Sequence, residues 1–484
     1  MAAEQFMLDR VVFSSPALTV KGWTGYTLSP GLQQTLNAGG SEMDPTLLAT
    51  TASAPVIEGT TLDVGQFLGA SASATGLFTR TDTTDPAIPH LAFAAAVDFW
   101  FVSASDGGTR GSSSTSTNTK MTLMKGVAIP VSLSNNADGL AELTVRFYAD
   151  YDGTNVPVTF TADQTLPAGG AGANALWTVR ALRNGTSGSI LHRLQGINVD
   201  FGVGVTRDTP ANAIYPTDTA VNSFRPVVRW RTTDIATALA ASGFSGAVAG
   251  GGGFLVYIAQ YATDAAGVQT SGALTLIVRT LSPWWTDGLT MNAGQLLALD
   301  YQCVGCGDDT VGDIAGGAEP PMQYAAGVSI AAILETTNSS LYMAGPIKDN
   351  ATDINYATLR IDFGLAWDIM GEAHTPWPTH AALLRREPSI QVTTNHLDYV
   401  SALGLNGRGV DTTFTCYARK LGADSEPLKD AYSGSVHTAL ACTSGWILPS
   451  AVGGEHGALL QPEFLVRPTS GLTIDTSANI VRGS

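Results

Sequence analysis

The chain is predicted to be mainly β: three tandem antiparallel β-sandwich or barrel domains, each with one short α-helix. Three observations predict this. A set of fixed intervals recurs three times along the sequence. Around two of its landmarks apolar and polar residues alternate with period two. Clusters of turn-forming residues separate the remaining apolar runs.

The intervals start from two near copies, "NVDFGVGV" at Asn198–Val205 and "RIDFGLAW" at Arg360–Trp367. Gly202 to Pro216 is 14 residues, and so is Gly364 to Pro378. Ten residues further stand Pro226 and Pro388, opening the alternating runs "VVRWRTTD" and "SIQVTTNHLD". In the N-terminal third, Gly31 of "SPG" is followed by Pro45 after 14 residues and by Pro55 after ten more. We read three homologous units of about 150 residues. They are placed at residues 1–167, 168–318 and 319–484, the first being the most divergent. Gly-, Ala- and Pro-rich connections lie at Leu166–Ala175 and Asp313–Gly327.

Around the first landmark, Ile197, Val199, Phe201, Val203 and Val205 alternate with Asn198, Asp200, Gly202 and Gly204. That predicts a half-buried strand with the aspartate on the face opposite the phenylalanine. Leu359 to Asp368 repeats the pattern. The ten-residue stretches "PTLLATTASA", "PTDTAVNSFR" and "PTHAALLRRE" are expected to form a short helix of about two turns. Each opens on a proline, and the next proline closes it. The later runs, among them "VDFWFVSA", "GFLVYIAQYA" and "TTFTCYARKL", read as strands. The polar tract Ser103–Lys120 is expected to be an extended hairpin loop and a candidate for contacts that order on assembly.

Composition narrows the function. The chain has 484 residues, 44% hydrophobic and 14% charged, enough for several cores. Its net charge is −16 and its 25 basic residues are scattered, which disfavours a groove that grips nucleic acid. The start, "MAAEQFMLDRVVF", does not have the pattern of a signal peptide, and no stretch reaches the roughly 18 apolar residues of a membrane span. Four cysteines do not make a disulfide framework. Synthesis in the cytosol is expected.

Candidate chemistry is sparse. Asp-Phe-Gly occurs in kinases, but the Gly-rich loop, strand lysine and His-Arg-Asp segment that would accompany it are missing. "AGGGGF" at Ala249–Phe254 leads into a strand rather than a helix, so a phosphate cradle is not expected. Cys303 and Cys306 form a lone Cys-x-x-C, short of a zinc site, and Cys416 and Cys442 lie on separate strands. The histidines at 90, 192, 374, 380, 396, 437 and 456 make no metalloprotease pattern. Trp284-Trp285 is either a sugar-stacking platform or core packing. No catalytic, cofactor-binding or metal residue is assigned, and an enzyme is not expected.

The repeat unit resembles the domain of bacteriophage tail tube proteins, also called major tail proteins. The resemblance is carried by "LQGINVDFGVGV", "ATLRIDFGLAWDI", the expected short helix, and the strands "RPVVRWRTTD" and "EPSIQVTT" that follow Arg225, Arg385 and Arg386. It covers about 60–70% of the second and third repeats. In the first repeat "TLSPGLQQTL" lacks the Asp-Phe. The resemblance implies a virion structural protein that self-assembles into stacked rings around a β-barrel lumen, a conduit for DNA ejection. Partners would be further copies, in pseudo-sixfold rings of two chains or in other stoichiometries, and other tail proteins. DNA would pass without specific binding, past a wall to which the acidic balance could contribute, and no membrane partner is implied. The site of action would be the virion tail, assembled in the bacterial cytoplasm. The alternatives are a tail-tip or baseplate hub ring, or a carbohydrate-binding adhesive β-repeat protein.

Overall fold

The computed structural model describes residues 5–37, 47–68, 77–78, 88–104, 118–136, 139–168, 175–184, 190–191, 193–242, 254–260, 273–278, 282–307, 320–328, 341–350, 352–371, 375–422, 424, 426–430, 436–452 and 461–480. The glycines before Phe254, the centre of the Ser103–Lys120 tract and most of both expected connections lie outside these residues, as do His192, His374 and His456.

The first repeat contains β1 (Gln5–Ser14), β2 (Ala17–Val20), β3 (Trp23–Ser29), β4 (Leu32–Asn37), β5 (Leu47–Ser53), β6 (Val56–Thr61), α1 (Val64–Leu68), β7 (Leu91–Ala92), β8 (Val97–Ala104), β9 (Asn118–Leu123), β10 (Lys125–Asn136), β11 (Glu142–Asp150) and β12 (Val158–Gln164). The second contains β13 (Trp177–Asn184), β14 (Ile190–Leu191), β15 (Leu194–Asp200), β16 (Val203–Asp208), β17 (Asp218–Phe224), β18 (Val227–Thr232), α2 (Ile235–Ser242), β19 (Phe254–Gln260), β20 (Ala273–Val278), β21 (Trp284–Asn292), β22 (Leu299–Val304) and β23 (Met322–Val328). The third contains β24 (Tyr342–Asp349), β25 (Thr352–Ile354), β26 (Tyr356–Asp362), β27 (Leu365–Met370), β28 (His380–Arg386), β29 (Ser389–Thr394), α3 (Leu397–Ala402), β30 (Arg408–Gly409), β31 (Phe414–Lys420), β32 (His437–Cys442), β33 (Gly445–Ala451), β34 (Glu463–Pro468) and β35 (Thr473–Ala478). The protein is mainly β and antiparallel. β23 pairs with β20, so the second repeat's sheet reaches past residue 318 into the Asp313–Gly327 stretch.

Each repeat places a five-stranded sheet of its own against one sheet shared by all three. The separate sheets run β12-β9-β8-β1-β2, β14-β13-β19-β20-β23 and β25-β24-β31-β32-β35. The shared, 14-stranded sheet runs β3-β6-β11-β10-β15-β18-β22-β21-β26-β29-β34-β33-β30, with β7 beside β10. Every repeat thus contributes four strands in the same order. We call the first of each four the leading strand (β3, β15, β26) and the last the trailing strand (β10, β21, β33).

Alternation builds the sandwich. In β18, "VVRWRT", Val228 and Trp230 are buried while Arg229 and Arg231 are exposed. In β29, Ile390 and Val392 are buried and Gln391 is exposed. The buried faces meet the smaller sheets: Phe99 of β8 stands edge-on to Phe147 of β11 at 5.0 Å, and Phe414 of β31 to Phe464 of β34 at 6.1 Å. Aromatic pairs in this geometry contribute beyond their buried area.

The helices are not where the sequence placed them. The three proline-led segments are strands β5, β17 and β28, each closing a hairpin on β4, β16 or β27. The neighbouring strand supplies backbone partners to "DTAVNSF", whose exposure alternates in strand fashion, and this overrides a weak helical pattern. The short helix comes one strand later. Its entry is the same in each repeat: the hydroxyl of Thr61, Thr232 or Thr394 accepts the amide of Asp63, Asp234 or His396 at 3.0 Å. Helices of five to eight residues are marginal alone, and tertiary burial, as of Phe67 against Phe13 and Trp23, holds them.

The Asp-Phe-Gly phrase is also more than the continuous strand expected. The leading strand ends at the aspartate, and the hairpin begins just after the glycine. Asp200 and Asp362 accept the amides of Gly202 and Gly364 at 3.0 and 2.8 Å. Gly31, Gly202 and Gly364 have φ of 55°, 56° and 57°, the left-handed region that glycine enters without penalty. Their carbonyls accept the amides of Ala54, Arg225 and Glu387 at 3.2, 3.0 and 2.9 Å. The phrase recurs because each repeat needs the same turn out of the sheet.

Candidate assembly interface

The two junctions between repeats are built alike. A trailing strand pairs antiparallel with the next leading strand: Leu133 faces Val199 and Leu289 faces Ile361. Each trailing strand has a bulge here, between Pro130 and Ser132, Thr286 and Gly288, and, in the third repeat, Pro449 and Ala451. The bulged carbonyl takes the amide of the Asp-Phe-Gly phenylalanine, Phe201 to Val131 and Phe363 to Asp287, both at 3.0 Å. The bulge therefore aims one acceptor at the next repeat.

An aromatic residue opens each second and third repeat and is buried by its predecessor. The carbonyl of Trp177 accepts the amide of Ala141 at 2.7 Å, and that of Tyr342 accepts the amide of Leu297 at 2.9 Å. The Trp177 ring rests on Gly65 of α1, where an added Cβ would lie 2.5 Å from Cζ2. α2 likewise packs on β35 of the third repeat.

The hairpins of the second and third repeats fold back over the outer face of the repeat before. Val203, Val205 and Val221 cover Val127, Ile129 and Tyr148. Arg207 bonds the carbonyls of Pro55 and Ala149 and pairs with the buried Asp150 at 3.1 Å, which also accepts from Thr219 at 2.7 Å. The amides of Ser53 and Tyr151 donate to Ile214 and Pro216 at 2.8 Å each. At the second junction the amides of Phe224 and Gly307 donate to Pro376 and Pro378 at 2.7 and 2.8 Å. There Trp285 stacks on Trp367 at 5.3 Å, and Trp284 packs on Trp230 and Tyr301. The tandem tryptophans are core and junction residues, not an exposed platform.

The chain ends leave the same features uncovered. The bulge registers align Phe6 with Trp177 and Tyr342. Phe6 is 38% exposed, where Trp177 and Tyr342 are 0% and 2%. Tyr26 of β3 is 41% exposed, where its counterparts Ile197 and Leu359 are 5% and 0%. Phe6 and Tyr26 line an apolar groove of about 390 Å³ with Leu28, Phe101, Met121 and Phe160. On the hairpin β4–β5, Leu32, Leu36 and Leu48 are exposed. At the other end Trp446, aligned with Val127, is 52% exposed. Leu397 of α3 and Val452 beyond β33 are also exposed. β30 pairs with Trp446 and Ile447 only, as β7 pairs with Val127 and Ala128.

The solvent face of the shared sheet interleaves charge rather than lining up acids. Arg146 pairs with Glu58 at 2.6 Å and Arg231 with Asp300 at 3.8 Å, with Arg229, Arg360 and Arg467 nearby on the same face. All four cysteines are buried free thiols. Among the described residues no group of three or more His, Cys, Asp or Glu gathers as a metal site, and no helix is long and apolar enough to cross a membrane. Comparison with protein-family models and with curated proteins finds no match.

Sequence reading missed Phe6, Trp177 and Tyr342 as a set. Their shared signal is an aromatic residue at the start of each repeat's first strand, 25 residues before Gly31 and Gly202 in the first two repeats but 22 before Gly364 in the third. Asp200 and Asp362 prove to be turn caps at the interface.

Proposed function

We propose that the chain is a self-assembling structural protein of the phage tail tube kind, whose copies close rings that stack into a conduit for DNA. One observation carries this reading: three four-strand units join trailing edge to leading edge by one repeated geometry, and counterparts of residues buried at those junctions, Phe6 and Tyr26 at one end and Trp446 at the other, are exposed. A head-to-tail interface of this type either closes into a ring or propagates. Closure removes the exposed sheet edges that otherwise template aggregation. The chain's net charge of −16 disfavours tight retention of DNA. The burial of Trp284 and Trp285 counts against the adhesive, sugar-binding alternative.

Negative-stain imaging of the purified chain, with light scattering over a range of concentrations, tests the reading. Hollow filaments of regular axial repeat are expected. Isolated rings that never stack would favour a hub, and a chain monomeric at every concentration would overturn the proposal.

A further inference from the structure

We propose that the first repeat of one copy docks on the third repeat of a second copy with the geometry of the internal junctions. Phe6 sits over α3, and the hairpin β4–β5 lies on Trp446. This rests on the self-assembly reading and names its contact surfaces.

The occupant is fixed by equivalence within the chain. Phe6 holds the position of Trp177 and Tyr342, which the preceding repeat buries almost completely. Leu32 follows Gly31 as Val203 follows Gly202, and Val203 packs on the apolar set that contains Val127. Trp446 holds the position of Val127, both pairing with the short strand that follows the helix segment. A second copy is the partner whose surface repeats both halves of this contact.

The seam differs from the internal junctions in chemistry. Leu36 stands where Arg207 reaches Asp150. The counterpart of Asp150 in the third repeat is Thr469, by the register of β34 on β29. An apolar leucine therefore meets a neutral hydroxyl residue, where the first internal junction buries an ion pair. Pro30 holds the position of Phe201 and Phe363 and has no amide proton to offer the bulged Ser450.

Cross-linking in trans tests the docking. Full-length chains carrying Pro30→Cys and Ser450→Cys are mixed under mild oxidation. Both positions are exposed, and the native thiols are buried. The paired geometry would bring the two Cα atoms within disulfide range, roughly 4.4–6.8 Å. A band of twice the chain mass is expected from the mixture and not from either variant alone. Wild-type protein that assembles while the mixture gives no such band would overturn the docking and leave self-assembly standing. Protein that never assembles would remove both. As a second arm, Phe6→Ala and Leu32→Asp should each raise the concentration for half-assembly by about tenfold or more. The Leu32→Asp monomer should melt like wild type, because that side chain is exposed there. Unchanged assembly in both variants would likewise overturn the docking.

Discussion

The Trp177 indole rests against Gly65 of the preceding repeat, close enough that a Cβ at that glycine would stand 2.5 Å from the ring. Gly65 sits inside α1, where helix propensity alone favours alanine by about 1 kcal/mol. The packing demands the opposite sign. Gly65→Ala should lower the melting temperature, and Trp177→Ala should cost about 3–5 kcal/mol through the cavity left under the second repeat. A Gly65→Ala variant that melts at or above wild type would show that the ring is not seated as described.

Gly202 is required twice over. Its φ of 56° is costly for other residues, and an added Cβ would collide with the Arg225 carbonyl. Gly202→Ala should destabilise by at least about 1–3 kcal/mol in denaturant titrations. Gly364→Ala should do the same, since its geometry is equal. Asp200→Ala, which removes only the carboxylate that accepts the Gly202 amide, should cost about 1 kcal/mol.

Asp150 is buried and faces Arg207 across the first junction. Arg207→Ala leaves that buried carboxylate without its countercharge, held by the Thr219 hydroxyl, and should cost about 3–5 kcal/mol, whereas exchanging both partners for apolar residues of similar volume should cost much less. A double-mutant cycle in urea measures the coupling. Additive single effects would mean that the pair does not interact.

Burial pushes the Cys306 thiol up to about 12, and it raises Cys303 and Cys416 as well. Tyr399 is raised by burial and by the Asp349 carboxylate beside it. Unfolded thiols ionise near 9.0, while the folded ones keep their protons. Above about pH 9 the unfolded state therefore binds fewer protons, and stability falls as pH rises; below that these groups contribute no slope. Melting curves from pH 7 to 10.5 should show the decline, and iodoacetamide at pH 8 should label the thiols only after unfolding.

Pro30 ends the outermost strand of the shared sheet and cannot donate to a neighbour, a common guard on exposed edges. Pro30→Ala restores the donor that Phe201 and Phe363 use. It should tighten assembly about two- to tenfold, the net worth of one hydrogen bond, read from the concentration dependence of light scattering. Weaker assembly would mean that the proline's shape, rather than its missing proton, sets the seam.

Local features of the chain are strong enough to be read one residue at a time. The interval from Gly31, Gly202 and Gly364 to their two prolines reports a shared turn, because only glycine enters that backbone region freely and only proline closes the hairpin's far side without a donor. The alternation of Val228, Trp230 and Thr232 with arginines reports a half-buried strand. The β class was therefore legible in the sequence alone. What Asp218–Phe224 would become was not, because its secondary structure depends on whether β16 lies alongside to pair its backbone. The interface was hidden for the same reason. Phe6 and Trp177 share one interval to their glycines, but Tyr342 joins them only once the bulges align β24 with β1 and β13, and their different fates, one exposed and two buried, depend on what precedes each repeat in space. Contacts between residues far apart in the chain set those outcomes, and only the assembled tertiary structure brings them together.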